Sequence, residues 1–404
     1  MNKLCEVCLN PLDGPLLDLG SYPLCDDLIR IDSLDSNRFY RQAVVLCRIC
    51  LTASQVYPVP KLDLFKPNYH YRARLTNDVL NGMSDLIGSL AKHIQLNSSS
   101  TVLDIGCNDG SLLNIFKNKF NCQTIGLDPT DAIDDAPETV DHKIKAYFDA
   151  DSAGLVKEIA SEIDVITFTN VFAHIEDLQL LCSNIKTIMM SKSILVIENH
   201  YLGSILEKNQ FDTFYHEHPR TYSLRSFLFI AKSLNLRILN IEFPSRYAGN
   251  IRILMGMEGK AISEEELEMA LNKERDFCNQ YSKLQNKFEV WNSKSKELLE
   301  QILNKHGKVL GKALPGRAVM LINSLSLNEN LMPFVMEREG SPKIGHFVPG
   351  TKIPIIPDTF LEELKPEIII VWAWHIIDEV VSQLERMEFK GEVWVPLPEF
   401  KRIR

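Results

Sequence analysis

The sequence predicts an α/β protein: a doubly wound, mostly parallel sheet at the centre, a small metal-stapled module before it, and a second, smaller Rossmann-like sheet after it. Three observations carry this. Thr101–Gly110 reads as a strand, a glycine-flanked bend and a helix start; short apolar strands alternate with helical stretches; and two Cys-x-x-Cys pairs lie near the N-terminus. Alternating strands and helices imply a mostly parallel sheet. At 404 residues the chain exceeds one compact core and should divide into two or three units.

Cys5-x-x-Cys8 and Cys47-x-x-Cys50 can each present two thiolates from one tight turn, and together they complete a tetrahedral zinc site. Four thiolates leave no open position for chemistry, so this zinc is read as structural. Cys25, between the pairs, could replace one ligand. Turn residues (Asn10-Pro11, Asp13-Gly14-Pro15, Pro58-Val59-Pro60) and scant helical periodicity fit a small module that needs a metal staple. The expected units are a zinc module over 1–65, a central domain over 66–255, a helical linker over 256–306 and a Rossmann-like domain over 307–404.

A helix is expected over Asn77–Leu96, leading to the strand at Thr101. The bend after that strand reads D-x-G-x-x-x-G, with Asp104, Gly106, Asn108, Asp109 and Gly110. A pyrophosphate site wants G-x-G-x-x-G on a helix N-terminus, and the acids here repel one. The next strand, Thr124–Leu127, ends in Asp128-Pro129, an acid placed to meet ribose hydroxyls. The loop resembles the first motif of class I S-adenosyl-L-methionine (SAM) methyltransferases. That resemblance assigns SAM binding to Asp104, Gly106, Asn108, Gly110, Asp128 and Pro129.

Further strands are expected at Gln123–Leu127, Lys143–Phe148, Asp164–Asn170 and Ser193–Glu198, with a helix at Ser152–Ser161. Ser263–Lys305, rich in Glu, Lys, Leu and Gln without Gly or Pro, predicts a long helix or helical pair with a solvated charged face. Beyond Gly307, strands are expected at Ala318–Ile322, Pro354–Ile356, Ile368–Trp372 and Glu392–Val395.

Phe211–Ser223 concentrates proton-transfer groups: Tyr215, His216, Glu217, His218 and Tyr222. Histidine titrates near neutrality and can take a proton at physiological pH. In an extended segment His216 and His218 share a face opposite Tyr215 and Glu217. Three readings stand side by side: a general base with its partners, a metal site on His216 and His218, and a structural hydrogen-bonded loop.

Together the N-terminal cysteine pairs, Leu103–Leu113, Thr169–Asp177, the segment Phe211–Ser223 and Phe347–Ile355 resemble the sugar C-methyltransferases that act on nucleotide-linked 4-keto-deoxysugars. The resemblance spans essentially the whole chain. It implies that His218 is the general base, with Tyr215 and Glu217 as its neighbours; His216 stands with them as a catalytic candidate from the segment itself. It implies further that Tyr69 or Tyr71 reaches the substrate and that Asn170 and His174 line the SAM pocket. The chain departs from the family at Gly311–Gly316, where a proline stiffens the glycine-rich turn, and at Glu337 and His375, where aspartate and asparagine are usual.

A net charge of −9 argues against nonspecific nucleic-acid binding. The longest apolar run, Ile368–Ile377, is far shorter than a membrane span. Nine cysteines without a secretory leader fit reduced thiols in the cytoplasm. The expected partner is a TDP- or GDP-linked sugar, the cofactors are SAM and structural Zn2+, and the chain is expected as monomer or homodimer. The rivals are O- or N-methylation of another small metabolite and a noncatalytic SAM-binding scaffold.

Overall fold

The computed structural model describes residues 3–404 and contains three main sheets. In the first, Leu16–Pro23 pairs antiparallel with Phe39–Leu46, which pairs with Ala53–Gln55. The fourth strand of that sheet comes from far along the chain: Arg220–Thr221, which begins two residues past His218, pairs with Ala53–Ser54. The N-terminal module therefore grips the segment that carries the proton-transfer groups.

The central sheet has seven strands, in spatial order Arg237–Glu242, Asn250–Gly256, Ile194–His200, Val165–Thr169, Thr101–Ile105, Gln123–Leu127 and His142–Ile144. The last five run parallel; Asn250–Gly256 is antiparallel to both of its neighbours. Strand order reverses at Thr101–Ile105, and ligands bind outside the carboxyl ends of the strands at such a switch point. Val102, Leu103, Val165, Ile166, Leu195 and Val196 are fully buried, as expected where helices cover both faces of a parallel sheet.

The third sheet orders Ile355–Pro357, Val335–Glu337, Leu310–Lys312, Ile368–Val371, Glu392–Val395 and Lys401–Arg402, parallel except for the last strand. The strand expected at Ala318–Ile322 is instead a helix, Ala318–Ser324. All five of those apolar residues are buried, so the helix is wrapped all round and shows no amphipathic period. The true first strand, Leu310–Lys312, precedes the Pro315-Gly316 turn, and Val335–Glu337 went unread because it is so short.

The Glu/Lys-rich stretch is three helices, Glu264–Asn272, Phe277–Ser282 and Leu284–His306. Glu274, between the first two, is buried rather than solvated. Its carboxylate accepts from the backbone N–H groups of Leu224 (2.6 Å) and Arg225 (3.0 Å), at the start of the helix Leu224–Leu234. A carboxylate is favourable at such an N-terminus. The expected helix over Asn77–Leu96 stops at Leu90.

Trp291 joins the third of these helices to the C-terminal sheet, donating from Nε1 to the Pro396 carbonyl at 2.8 Å and packing on Phe211 at 4.8 Å between ring centroids. No helix among the described residues is long and apolar enough to cross a membrane. Replacing Trp291 with alanine is expected to cost about 3–5 kcal/mol, read as a lowered denaturation midpoint by circular dichroism; an unchanged midpoint contradicts this packing.

Candidate active site

The Sγ atoms of Cys5, Cys8, Cys47 and Cys50 lie within 4.8 Å of one another. All four are free thiols, and Cys25 lies elsewhere, against Glu217. Packed this closely, the sulfurs compete for protons: the contact with Cys47 is the largest cause that pushes the Cys5 thiol up to about 12, while the contacts with Cys5 and Cys50 pull Cys47 down. A divalent soft-ligand cation relieves that conflict, and a tetrahedral four-thiolate shell is the chemistry of structural zinc. The cluster fits the metal.

One cavity of about 320 Å³ lies between the central sheet, the N-terminal module and the C-terminal sheet. Its floor is the loop Asp104–Asn108. Gly106 has φ of +72°, and a Cβ there would sit 2.4 Å from Val171, so only glycine fits. The Asn108 N–H donates to Asp128 Oδ2 at 2.9 Å, while its side chain bonds Ala73 N (2.9 Å) and the Tyr71 carbonyl (3.1 Å). These bonds tie the loop to the segment carrying both candidate tyrosines. Burial raises Asp104 to about 7, although it accepts from the Thr167 hydroxyl at 2.6 Å. Asp128 and Pro129 line the cavity. Gly110 does not: its φ of +69° starts the helix Ser111–Phe120, and it packs on Ala136 and Val140.

The Phe211–Ser223 segment is not extended. Turns through Tyr215–Glu217 send the two histidines apart, which removes the metal-site reading for the pair. His218 lines the cavity, 4.3 Å from the Tyr215 ring and 4.8 Å from the His174 ring, centroid to centroid. His216 faces away, with its Nε2 on the Tyr40 carbonyl at 3.1 Å; burial lowers it to about 4. It belongs to the packing of the module, and the expectation that it shares the site is corrected.

His218 Nδ1 lies 2.9 Å from the Thr213 carbonyl. That acceptor assigns the proton to Nδ1 and leaves the lone pair on Nε2. Burial, then the neighbouring His174, holds His218 well below the usual histidine range. Glu217 takes the Cys25 thiol on Oε1 at 2.8 Å and the Tyr69 hydroxyl on Oε2 at 2.9 Å. Burial nevertheless lifts it to about 7. Tyr71 instead pairs with Tyr247, hydroxyl to hydroxyl, at 3.0 Å. His174, lowered to about 4 by burial, bonds the Glu217 carbonyl at 2.7 Å. Asn170 lines the cavity, and its side chain accepts from Asn250 at 3.2 Å.

Sequence reasoning missed several lining residues. His200 ends a central strand, its ring 5.1 Å from that of His218, and a polar group at a strand's carboxyl end was the available signal. Arg246 and Tyr247 lie in a loop with no motif. Arg317 crosses from the C-terminal sheet to Asp212, with bonds of 2.8 and 2.7 Å, and Trp374 Nε1 meets the same carboxylate at 2.9 Å. Tyr247 and Ala248 have φ of +53° and +65°. Such strain costs on the order of 1–3 kcal/mol per residue and clusters at functional sites.

The sheet order, the switch-point loop and the cavity above it define a class I SAM-dependent methyltransferase. Residues 71–241 match the family described as methyltransferase domain, residues 246–398 the C-methyltransferase C-terminal domain, and residues 5–65 a zinc binding domain. The chain is 24% identical over 412 residues to the C-methyltransferase NovU of Streptomyces niveus, covering 98% of this chain and 95% of that protein. Among solved structures it is similar to the geranyl diphosphate C-methyltransferase of Streptomyces coelicolor A3(2), at 12% identity and TM-score 0.34 over 49% of this chain and 91% of that one. It is also similar to the magnesium protoporphyrin IX methyltransferase of Synechocystis PCC 6803, at 13% identity and TM-score 0.35 over 45% of this chain and 84% of that one.

Metal analysis is expected to find one zinc per chain. Cys47→Ser should lose it and lower the melting temperature; full stability without metal would contradict a structural zinc.

Proposed function

We infer that this enzyme methylates the carbon beside the ketone of a nucleotide-activated 4-keto-deoxysugar, with His218 as general base. The observation that carries the reading is the neutral His218 ring, fixed through Nδ1 and lining the same cavity as the SAM loop. SAM, when bound over Asp104–Asn108, supplies a methyl group on a sulfonium.

His218 Nε2 removes the proton next to the ketone and leaves an enolate. Tyr215, whose phenol burial keeps protonated, donates to the enolate oxygen; Tyr69 is committed to Glu217 and Tyr71 to Tyr247. A preorganised donor at developing negative charge is worth most in a site closed to water. The Glu217 carboxylate, held by Cys25 and Tyr69, adds negative charge to the cavity in which His218 gains a positive one. In this division of labour, 1–65 braces the base, 66–255 holds SAM, the helices of 256–306 carry 307–404, and 307–404 closes over the sugar nucleotide. The five cysteines outside the cluster, none of them in a disulfide, suit a reducing, cytoplasmic setting. The similarity to a C-methyltransferase favours carbon over oxygen or nitrogen as the methyl acceptor.

In deuterated buffer with TDP- or GDP-4-keto-6-deoxysugars, the wild type should exchange the proton beside the ketone. His218→Ala should exchange it about 10²–10⁴-fold more slowly. Methyl found on oxygen or nitrogen contradicts the reading. Because burial raises Glu217 to about 7, its carboxylate form grows as pH rises through that value. The ratio kcat/KM should therefore climb across this range, and Glu217→Gln should abolish the limb. His218, already neutral there, should add no limb near 6.5.

A further inference from the structure

Arg246 is only 6% exposed. Its Nε and Nη1 are buried and lack partners. Its ion pair is with Glu198, Nε 3.3 Å from Oε1, and Asp78 lies near enough to feel its charge. The Glu198 carboxylate is spent elsewhere: Oε1 accepts from Asn250 at 3.0 Å and Oε2 from Arg252 at 2.7 Å. A buried guanidinium with unmade bonds is costly, and its planar fork matches a carboxylate.

Its surroundings say which carboxylate. Arg246 lines the cavity on the flank of the glycine loop: it lies beneath Tyr247, 5.1 Å from the ring, and Tyr247 bonds Tyr71, whose carbonyl is held by Asn108. Gly82 leaves room for the guanidinium, since a Cβ there would sit 2.4 Å from Nη1. One cation half-offset by Glu198 suits a single negative charge rather than a diphosphate. The strained backbone of Tyr247–Gly249 presents it.

We propose that Arg246 receives the α-carboxylate of the methyl donor and so fixes the amino-acid end of SAM. The fork holds that end still, which sets where the opposite, reactive end lies. Arg246 is a binding and positioning residue, and the interaction is independent of the methyl acceptor.

The test is calorimetric binding without any acceptor, using S-adenosylhomocysteine and its decarboxylated analogue. The wild type should bind the full ligand about 10–100-fold more tightly than the analogue. Arg246→Gln should lose that preference while binding the analogue as the wild type does. Arg246→Lys, which keeps the charge without the fork and guards against a variant that fails to fold, should lose part of it. Equal binding of the two ligands by the wild type overturns the proposal, as does a loss in either variant that is the same for both. Neither result bears on which atom is methylated.

Discussion

An imidazole held neutral in the wall of a cavity imposes requirements on every element around it. The proposed role of His218 as base requires that its ring be fixed in one orientation. The Thr213 carbonyl fixes Nδ1, and Gln55 holds the flanking backbone by donating to the carbonyls of Tyr215 (2.9 Å) and His218 (3.0 Å). Gln55 belongs to the N-terminal sheet, whose turns carry the four cysteines. Arg220, two residues beyond His218, reaches Glu6 beside that cluster and the carbonyls of Ile175 and Glu176 next to His174. The N-terminal module thus bears on the site through the backbone of His218, the proposed base, rather than through its four cysteines.

The opposite wall is set by one buried ion pair. Arg317 grips Asp212, in the turn leading to Tyr215, and Trp374 shares that carboxylate. Such a pair adds little net stability, but leaving either member unpaired is strongly destabilising. It fixes the C-terminal unit against the segment that carries His218. Both sides of the cavity are therefore tied to the same dozen or so residues, which makes the site rigid.

Much of this could be read from the sequence because local chemistry dictated it. Gly106 sits at a backbone angle that only a short list of residues tolerates, and Asp104 and Asp128 end the strands that frame the switch point. The cysteine pairs converge because each tight turn offers two sulfurs. Regular parallel strands such as Val165–Thr169 announced themselves by apolar runs. The failures have physical causes too. Ala318–Ser324 is buried on all sides, so its helical period vanished. Glu274 was hidden in a charge-rich stretch where a solvated face was the natural expectation. His216 and His218 were placed on one face on the assumption of an extended chain, whereas turns separate them. Arg246, His200 and Arg317 gain meaning only when distant segments meet, and no local pattern encodes that meeting.

The central claim is geometric and chemical at once: a neutral His218 and the methyl donor share one cavity with the acceptor between them. A crystal structure with S-adenosylhomocysteine and a 4-keto sugar nucleotide tests it most directly. The account predicts the donor over Asp104–Asn108 and the carbon beside the ketone between the donor's sulfur and His218 Nε2. An acceptor bound on the far side of the donor, or out of reach of His218, would contradict it.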